Sequence, residues 1–236
     1  MRSIYRTLGP ALVRSVALVC LADALVGLSF GAIAVSTGFP LWVPMVLSVV
    51  VFAGAAQFLF IGLIAAGGSP LAAVAAALLV NARHLPFGFA VGDAVVGDAV
   101  GRAGWLRRLV GSHLMTDETV AFTLAEDDPR RRRAVYWATG TALFVCWNVS
   151  VVLGGLAGSA ISDTGALGLD AAFPAVLLAL VLPSLNDPKT RWAALIGLVV
   201  ALATTPLLPA GAPVLLALSG VMIVEVIGRW KRTPAW

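Results

Sequence analysis

The sequence predicts an all-α polytopic integral membrane protein of about seven to eight transmembrane helices, some of them discontinuous. Three observations carry that expectation. Of 236 residues 60% are apolar and only 12% are charged, with mean hydropathy +0.96, against roughly a quarter charged in ordinary soluble domains. Apolar runs recur along the whole length at the ~20 residues that a bilayer core of ~30 Å asks of a helix. Charges gather at the ends of these runs, most densely in EDDPRRRR at 126–133. No long polar region separates the runs, so residues 1–236 read as one membrane domain, multi-pass in the cytoplasmic membrane. The formal charge of +4 then reports orientation in a lipid bilayer and implies no nucleic-acid partner.

The first span covers about 11–36, with Arg2, Arg6 and Arg14 on its cytoplasmic side. A signal peptide shares this outline. The length of the run, its interruption at Asp23 and the lack of a small-residue cleavage site before a soluble region favour a retained span. Gly27 and Gly31 make a GxxxG pair, a spacing that lets another helix approach closely, and ordinary span packing is the plain reading of it. Asp23 sits too deep to reach the headgroups, so it is neutral, paired or facing water. Cys20 and Cys146 lie in apolar runs, where a thiol behaves as a small hydrophobe. That argues against a disulfide framework.

The turn TGFPLW leads to a second span of about 43–66. Gly54, Ala55 and Ala56 give it a thin wall, from which Gln57 projects an amide. A thin wall beside a polar group suits a ligand or a partner helix. After the turn GGSP the third span runs through alanines to Asn81, Arg83 and His84, with Pro86 and Gly88 following. Proline removes a backbone donor and disfavours helix in the residue before it, so a break or kink is expected here. Discontinuous helices near the midplane are how many secondary transporters offer backbone groups and helix ends to a substrate. The alternative is that Arg83 and His84 cap the span at headgroup level.

Residues 102–108 read as a basic interfacial loop, and 109–125 are apolar enough to enter the membrane yet hold His113, Asp117 and Glu118. Four later spans are expected at about 134–157, 171–185, 192–208 and 213–228. Lys189 and Arg191, then Arg229, Lys231 and Arg232, place the C-terminus in the cytoplasm. With both termini there the crossings are even in number, which makes 109–125 the eighth. The cost is that Arg102, Arg107 and Arg108 then lie opposite the arginines at 130–133. A re-entrant 109–125 with an external N-terminus is the alternative. Residues 41–84 and 170–228 each read as span, turn, span, the outline of an internal repeat.

The elements SVVVFAGAAQF (48–58), LLVNARHLPFG (78–88) and TDE (116–118), in that order, resemble the AzlC family, the large subunit of two-component branched-chain amino acid exporters. By motif the resemblance covers about residues 24–125; beyond that it rests on hydropathy and length. Asn81, Arg83 and His84 match the family's N-x-R-H. Gly54, Ala55, Gln57 and Phe58 match its G-A-x-Q-F, and Asp117 and Glu118 its D-E pair. Asp23 departs from the uncharged residue of many members, so substrate or coupling can differ here. The resemblance implies a secondary transporter exporting valine, leucine, isoleucine or methionine with a small membrane subunit of the AzlD type.

Chemistry and resemblance combine into one expected site. A zwitterionic amino acid needs a cation for its carboxylate, an acceptor for its ammonium and an apolar pocket. Arg83 offers a planar, always-charged fork; Asp117 or Glu118 can accept the ammonium or hold Arg83 in place. Gln57 and Asn81 supply neutral hydrogen bonds, and Phe58 and Phe87 line the pocket. Export against a gradient needs energy. Histidine changes charge in the physiological range and an intramembrane carboxylate does so with solvent access, which makes His84, Asp23 and Asp117 candidates for proton coupling. The structural alternative is that Arg83, Asp117 and Glu118 form a buried ion pair that locks the bundle. No cofactor or metal is implied, since two histidines give few options for a metal site. An enzyme is disfavoured by the absence of HExxH and G-x-S-x-G spacings. A non-transporting assembly subunit or channel is the other class, which the small-residue faces Gly27/Gly31 and Gly154/Gly158 would serve equally well.

Overall fold

The structure, a computed structural model, describes residues 8–97, 99–159, 178, 182–208 and 212–230. All elements among them are helical. In chain order they are α1 (Pro10–Ser36), α2 (Trp42–Val50), α3 (Gly54–Ala65), α4 (Pro70–Asn81), α5 (His84–Val96), α6 (Gly101–His113), α7 (Asp117–Leu124) and α8 (Pro129–Ser159). A 3-10 turn at Leu182–Asn186, then α9 (Pro188–Thr204), α10 (Ala212–Ala217) and α11 (Ser219–Trp230) follow. Among the described residues α1 and α8 are each long and apolar enough to cross a bilayer, and α4 with α5 passes as a third span if the interrupted pair counts as one. The expected seven to eight crossings are thus only partly matched. Most of the expected span 171–185 and the loop at Asp163 and Asp170 lie outside the described residues, as do Arg2, Arg6, Lys231 and Arg232.

Contacts divide the chain into two units, 1–57 with 81–167, and 58–80 with 168–236. The frame of the first is the pair α1 and α8. The Cys146 thiol donates to the Cys20 carbonyl at 3.2 Å, Gly27 faces Trp147 and Ser150, Gly31 faces Val151 and Gly155, and Ala32 faces Gly158. The numbers rise together, so the two helices run parallel. Close approach explains the glycines: a methyl group on Gly31 would run into the Val151 carbonyl, and one on Gly154 into the Leu28 carbonyl. The GxxxG spacing therefore serves helix packing in this structure, between backbones that come nearly into contact.

Two short helices share the length of α8. The α2 end is placed by Leu41 against Gly155 and by Ser48 Oγ donating to Asn148 Oδ1 at 2.7 Å. Further toward the α8 N-terminus, Val91, Ala94 and Val95 of α5 form a core cluster with Tyr136, and Asp93 pairs with Arg132 at 3.2 Å. Between α2 and α5 the chain leaves this unit at Gln57 and returns at Asn81.

Two expectations need correction. The second span is not one helix over 43–66: it stops at Val50 and resumes at Gly54. Residues 109–125 are not one helix either: they break at Leu114–Thr116, between α6 and α7. Arg107 donates to the Val96 carbonyl at 3.3 Å, at the same end of α5 where Asp93 meets Arg132 of α8. The chain goes in along α6, turns at 114–116 and comes back along α7, whose eight residues rise only about 12 Å. That course brings Arg107 to the end of the unit that holds the arginines at 130–133. Because α1 and α8 are parallel, the α1 N-terminus lies at that end too.

The second unit has its own core of Leu63, Ala73 and Ala76, with Leu59, Phe60, Ile64 and Leu215 packed against it. Here α9 starts at an Asp187 cap whose carboxylate accepts from Thr190 N and Thr190 Oγ1, both at 2.8 Å. Those bonds hold the Asp187 carboxyl below the usual carboxylate range. Gly197 and Gly220 let α9 approach α10 and α11 closely. The expected spans 192–208 and 213–228 fall on these helices, the second interrupted at Leu218.

Candidate functional site

Three helix interruptions converge in the first unit. At Val51–Ala53 the α2 C-terminus leaves carbonyls without helical partners. Leu47 O is served twice, by Val51 N at 2.9 Å and by Gln57 Nε2 at 3.1 Å. Gln57 is fully buried, and its Oε1 has no hydrogen-bond partner. The second interruption lies at Ala82 and Arg83, between α4 and α5. The His84 Nδ1–H donates to the Asn81 carbonyl at 2.9 Å, across the break. Pro86 is the third residue of α5, in the first turn, where no helical partner for its missing N–H is lost. The break therefore falls before the proline and its neighbour.

The third interruption, Leu114–Thr116, joins α6 to α7 and touches the other two. On its α6 side the His113 ring stands 6.4 Å from Phe52, in the first break, and 5.6 Å from Phe144 of α8. On its α7 side Asp117 Oδ2 accepts from Arg83 Nη1 at 2.9 Å, in the second break. Thr116 Oγ1 caps α7 by accepting from Thr119 N at 3.2 Å. Asp117 and Glu118 follow in the first turn, where the helix dipole favours negative charge. Glu118 in turn lies within electrostatic reach of Asp23 on α1.

Depth gives this cluster its meaning. Gly140 of α8 packs on Leu114 and Thr119, and Phe144 on His113. These contacts lie near the middle of a 31-residue helix about 46 Å long. Three carboxylates and one guanidinium at such depth are costly unless they face water or a ligand. The Arg83–Asp117 pair is open, with side chains 39% and 43% exposed, while Arg83 Nε and Asn81 Oδ1 are buried without partners. A buried lock would be sealed; this pair is accessible from one side and incompletely satisfied on the other.

Among the expected site residues, Arg83, Asp117, Asn81 and His84 meet at the second break, and Glu118 and Asp23 lie on an adjoining edge. Gln57 stands at the first break. Phe87 packs its ring edge-on to His84 at 6.1 Å and against the Val91–Tyr136 cluster, a core position. Phe58 is fully buried and belongs to the second unit. The residues above do not themselves disclose Ser48 and Asn148, which link α2 to α8, or the first break. An amide at 148 inside an apolar run carried the same signal as Gln57.

A membrane protein with charged, interrupted helices meeting midway along a long span is the class this arrangement defines. The family described as AzlC protein matches residues 18–161, and the chain belongs to that family. It is 26% identical over 203 residues to the branched-chain amino acid transport protein AzlC of Bacillus subtilis (strain 168), covering 84% of this chain and 77% of that protein. It is 27% identical over 186 residues to an uncharacterized membrane protein of Helicobacter pylori (strain ATCC 700392 / 26695), covering 78% of each. No solved structure matches.

Proposed function

We propose that this chain is a secondary transporter that exports branched-chain or related hydrophobic amino acids across the cytoplasmic membrane. The name of the Bacillus subtilis relative supports the substrate class. The observation that carries the reading is the open Arg83–Asp117 pair at the break between α4 and α5. Arg83 binds the substrate carboxylate in place of Asp117, and Asp117 is freed to accept the ammonium. Exchanging one ion pair for two to a zwitterion keeps the site neutral at each stage. Asn81 Oδ1 and Gln57 Oε1 are the unpaired acceptors nearest in chain to the breaks, and the partly buried Phe87 supplies apolar surface.

Protons are the coupling ion in this proposal. Asp23 on α1 and Glu118 on α7 are the carboxylates that carry it. His84 keeps Nε2 available because Nδ1 is engaged with Asn81. A small subunit of the AzlD type completes the exporter, 109–125 is a re-entrant segment in its topology, and the two span–turn–span segments at 41–84 and 170–228 form an internal repeat. The test is efflux of preloaded labelled leucine, valine and methionine from cells expressing the chain, alone and with a small membrane subunit, with and without a proton uncoupler. Uncoupler-sensitive efflux is expected. No efflux in any combination, with the protein present in the membrane, would refute the substrate class.

A further inference from the structure

A groove in the first unit is lined by none of the charged residues of that cluster. It is a cavity of about 1150 Å³ between α1 and α8, and none of the candidate site residues lines it. Its floor is made by small side chains four apart on one face of α8, Ala134, Ala138, Ala142 and Cys146, with Ala24 opposite on α1. Residues four apart share a helix face, so the groove runs along the helix. Val145, on its rim, is 55% exposed. The lining is almost wholly apolar except at one end, where Arg130 and Arg133 stand.

The four arginines at 130–133 are not equivalent. Arg131 makes a two-point bond to Glu126, at 2.7 and 3.0 Å, and Arg132 does the same with Asp93, at 3.2 and 3.3 Å. Arg133 lays its guanidinium against Gly97. Asp128 is committed to the α8 N-terminus through Arg131 N at 3.0 Å. Arg130 is exposed and has no acidic partner among the described residues. It also lies in the first turn of a helix about 46 Å long, in a bilayer whose hydrocarbon core is about 30 Å thick. Arg130 therefore sits at headgroup level, at the arginine-rich end that the positive-inside bias places in the cytoplasm.

We propose that the α1/α8 groove binds an anionic phospholipid of the cytoplasmic leaflet, its phosphate on Arg130 and one acyl chain along the Ala134–Ala138–Ala142 floor. Charge complementarity selects this occupant: an uncharged helix would fill the apolar part but leave Arg130 unmatched, whereas an anionic headgroup above an acyl chain matches both ends. One arginine near the surface contributes about 1 kcal/mol toward an anionic lipid, which is about a fivefold preference.

The test is native mass spectrometry of the purified full chain in detergent with added phosphatidylglycerol or phosphatidylcholine. The wild type is expected to retain phosphatidylglycerol in preference to phosphatidylcholine. Arg130→Gln, at an exposed position that should not disturb folding, is expected to cut that preference about fivefold. Ala142→Trp fills the groove and is expected to lower retention of both lipids, with helical content checked by circular dichroism. Equal retention of the two lipids by the wild type, or a preference unchanged in Arg130→Gln, would overturn the proposal. So would a protein helix captured at Cys146 by a thiol crosslinker while lipid retention is unaffected by Ala142→Trp.

Discussion

Among the described residues Arg83 and Asp117 form the one ion pair that joins two of the helix interruptions, and their exposure decides how the pair acts. Solvent-open ion pairs contribute about 0–1 kcal/mol, so Asp117→Asn is expected to leave thermal unfolding in detergent almost unchanged. Gln57→Leu is expected to behave alike. The lost bond to Leu47 O is worth about 1 kcal/mol, but Val51 N still serves that carbonyl and an unpaired buried oxygen is removed with the amide. If Gln57 acts on substrate, its loss lowers flux while the unfolding temperature stays put. At the edge of the re-entrant segment, the Arg131 guanidinium holds the Glu126 carboxyl below the usual carboxylate range. The folded state thus favours ionised Glu126. Its contribution is complete above the ordinary glutamate value of about 4.3 and is lost as pH falls through the lowered value. Protection against hydrogen exchange at the α7–α8 corner, taken relative to the intrinsic rate at each pH, should fall in the wild type as pH drops from 5 and lose that pH dependence in Glu126→Gln.

At the scale of elements, glycine decides which helices can meet. Gly31 has no room for a methyl group against the Val151 carbonyl and the Gly155 amide, and backbone cannot rotate away as a side chain can. Gly31→Ala is expected to destabilise the protein by about 1–3 kcal/mol, read as a lower unfolding temperature. Gly38, with φ 96 and nothing near its missing Cβ, is expected to lose stability through backbone strain alone when replaced by alanine. Much of this level was legible in the sequence. The apolar run 11–36 became α1 almost residue for residue, the two small-residue pairs met, and the N-x-R-H element marked a break. The break at Val51–Ala53 was not legible, because an apolar run reports length and burial but not where backbone hydrogen bonds stop; no proline marks it. The pairing of Arg83 with Asp117 could be expected from charge. That His113 would stand beside Phe52 could not, since nothing local relates positions 61 residues apart.

At the scale of the whole molecule, hydropathy could not distinguish a crossing from an excursion over 109–125. What separates them is tertiary: Arg107 donates to Val96 O on the way in and Arg131 to Glu126 Oε2 at 2.7 Å on the way back, which tie both arms of the excursion to the same end of the first unit. Single cysteines at Ala103 and Asp127 are accordingly expected to react with an impermeant maleimide from the same side of the membrane, and a cysteine at Thr37 from the other. Labelling of Ala103→Cys and Asp127→Cys from opposite sides would restore the eighth crossing.

The central claim is that the Arg83–Asp117 pair handles substrate and does not lock the bundle. The measurement that tests it most directly is leucine efflux by Arg83→Lys and Asp117→Asn alongside their unfolding temperatures and membrane abundance. Lysine keeps the charge but loses the planar fork. The expected result is strongly reduced flux in both variants, with stability and abundance close to wild type. Near-normal flux in both, or loss of flux only in step with loss of folded protein, would contradict the claim.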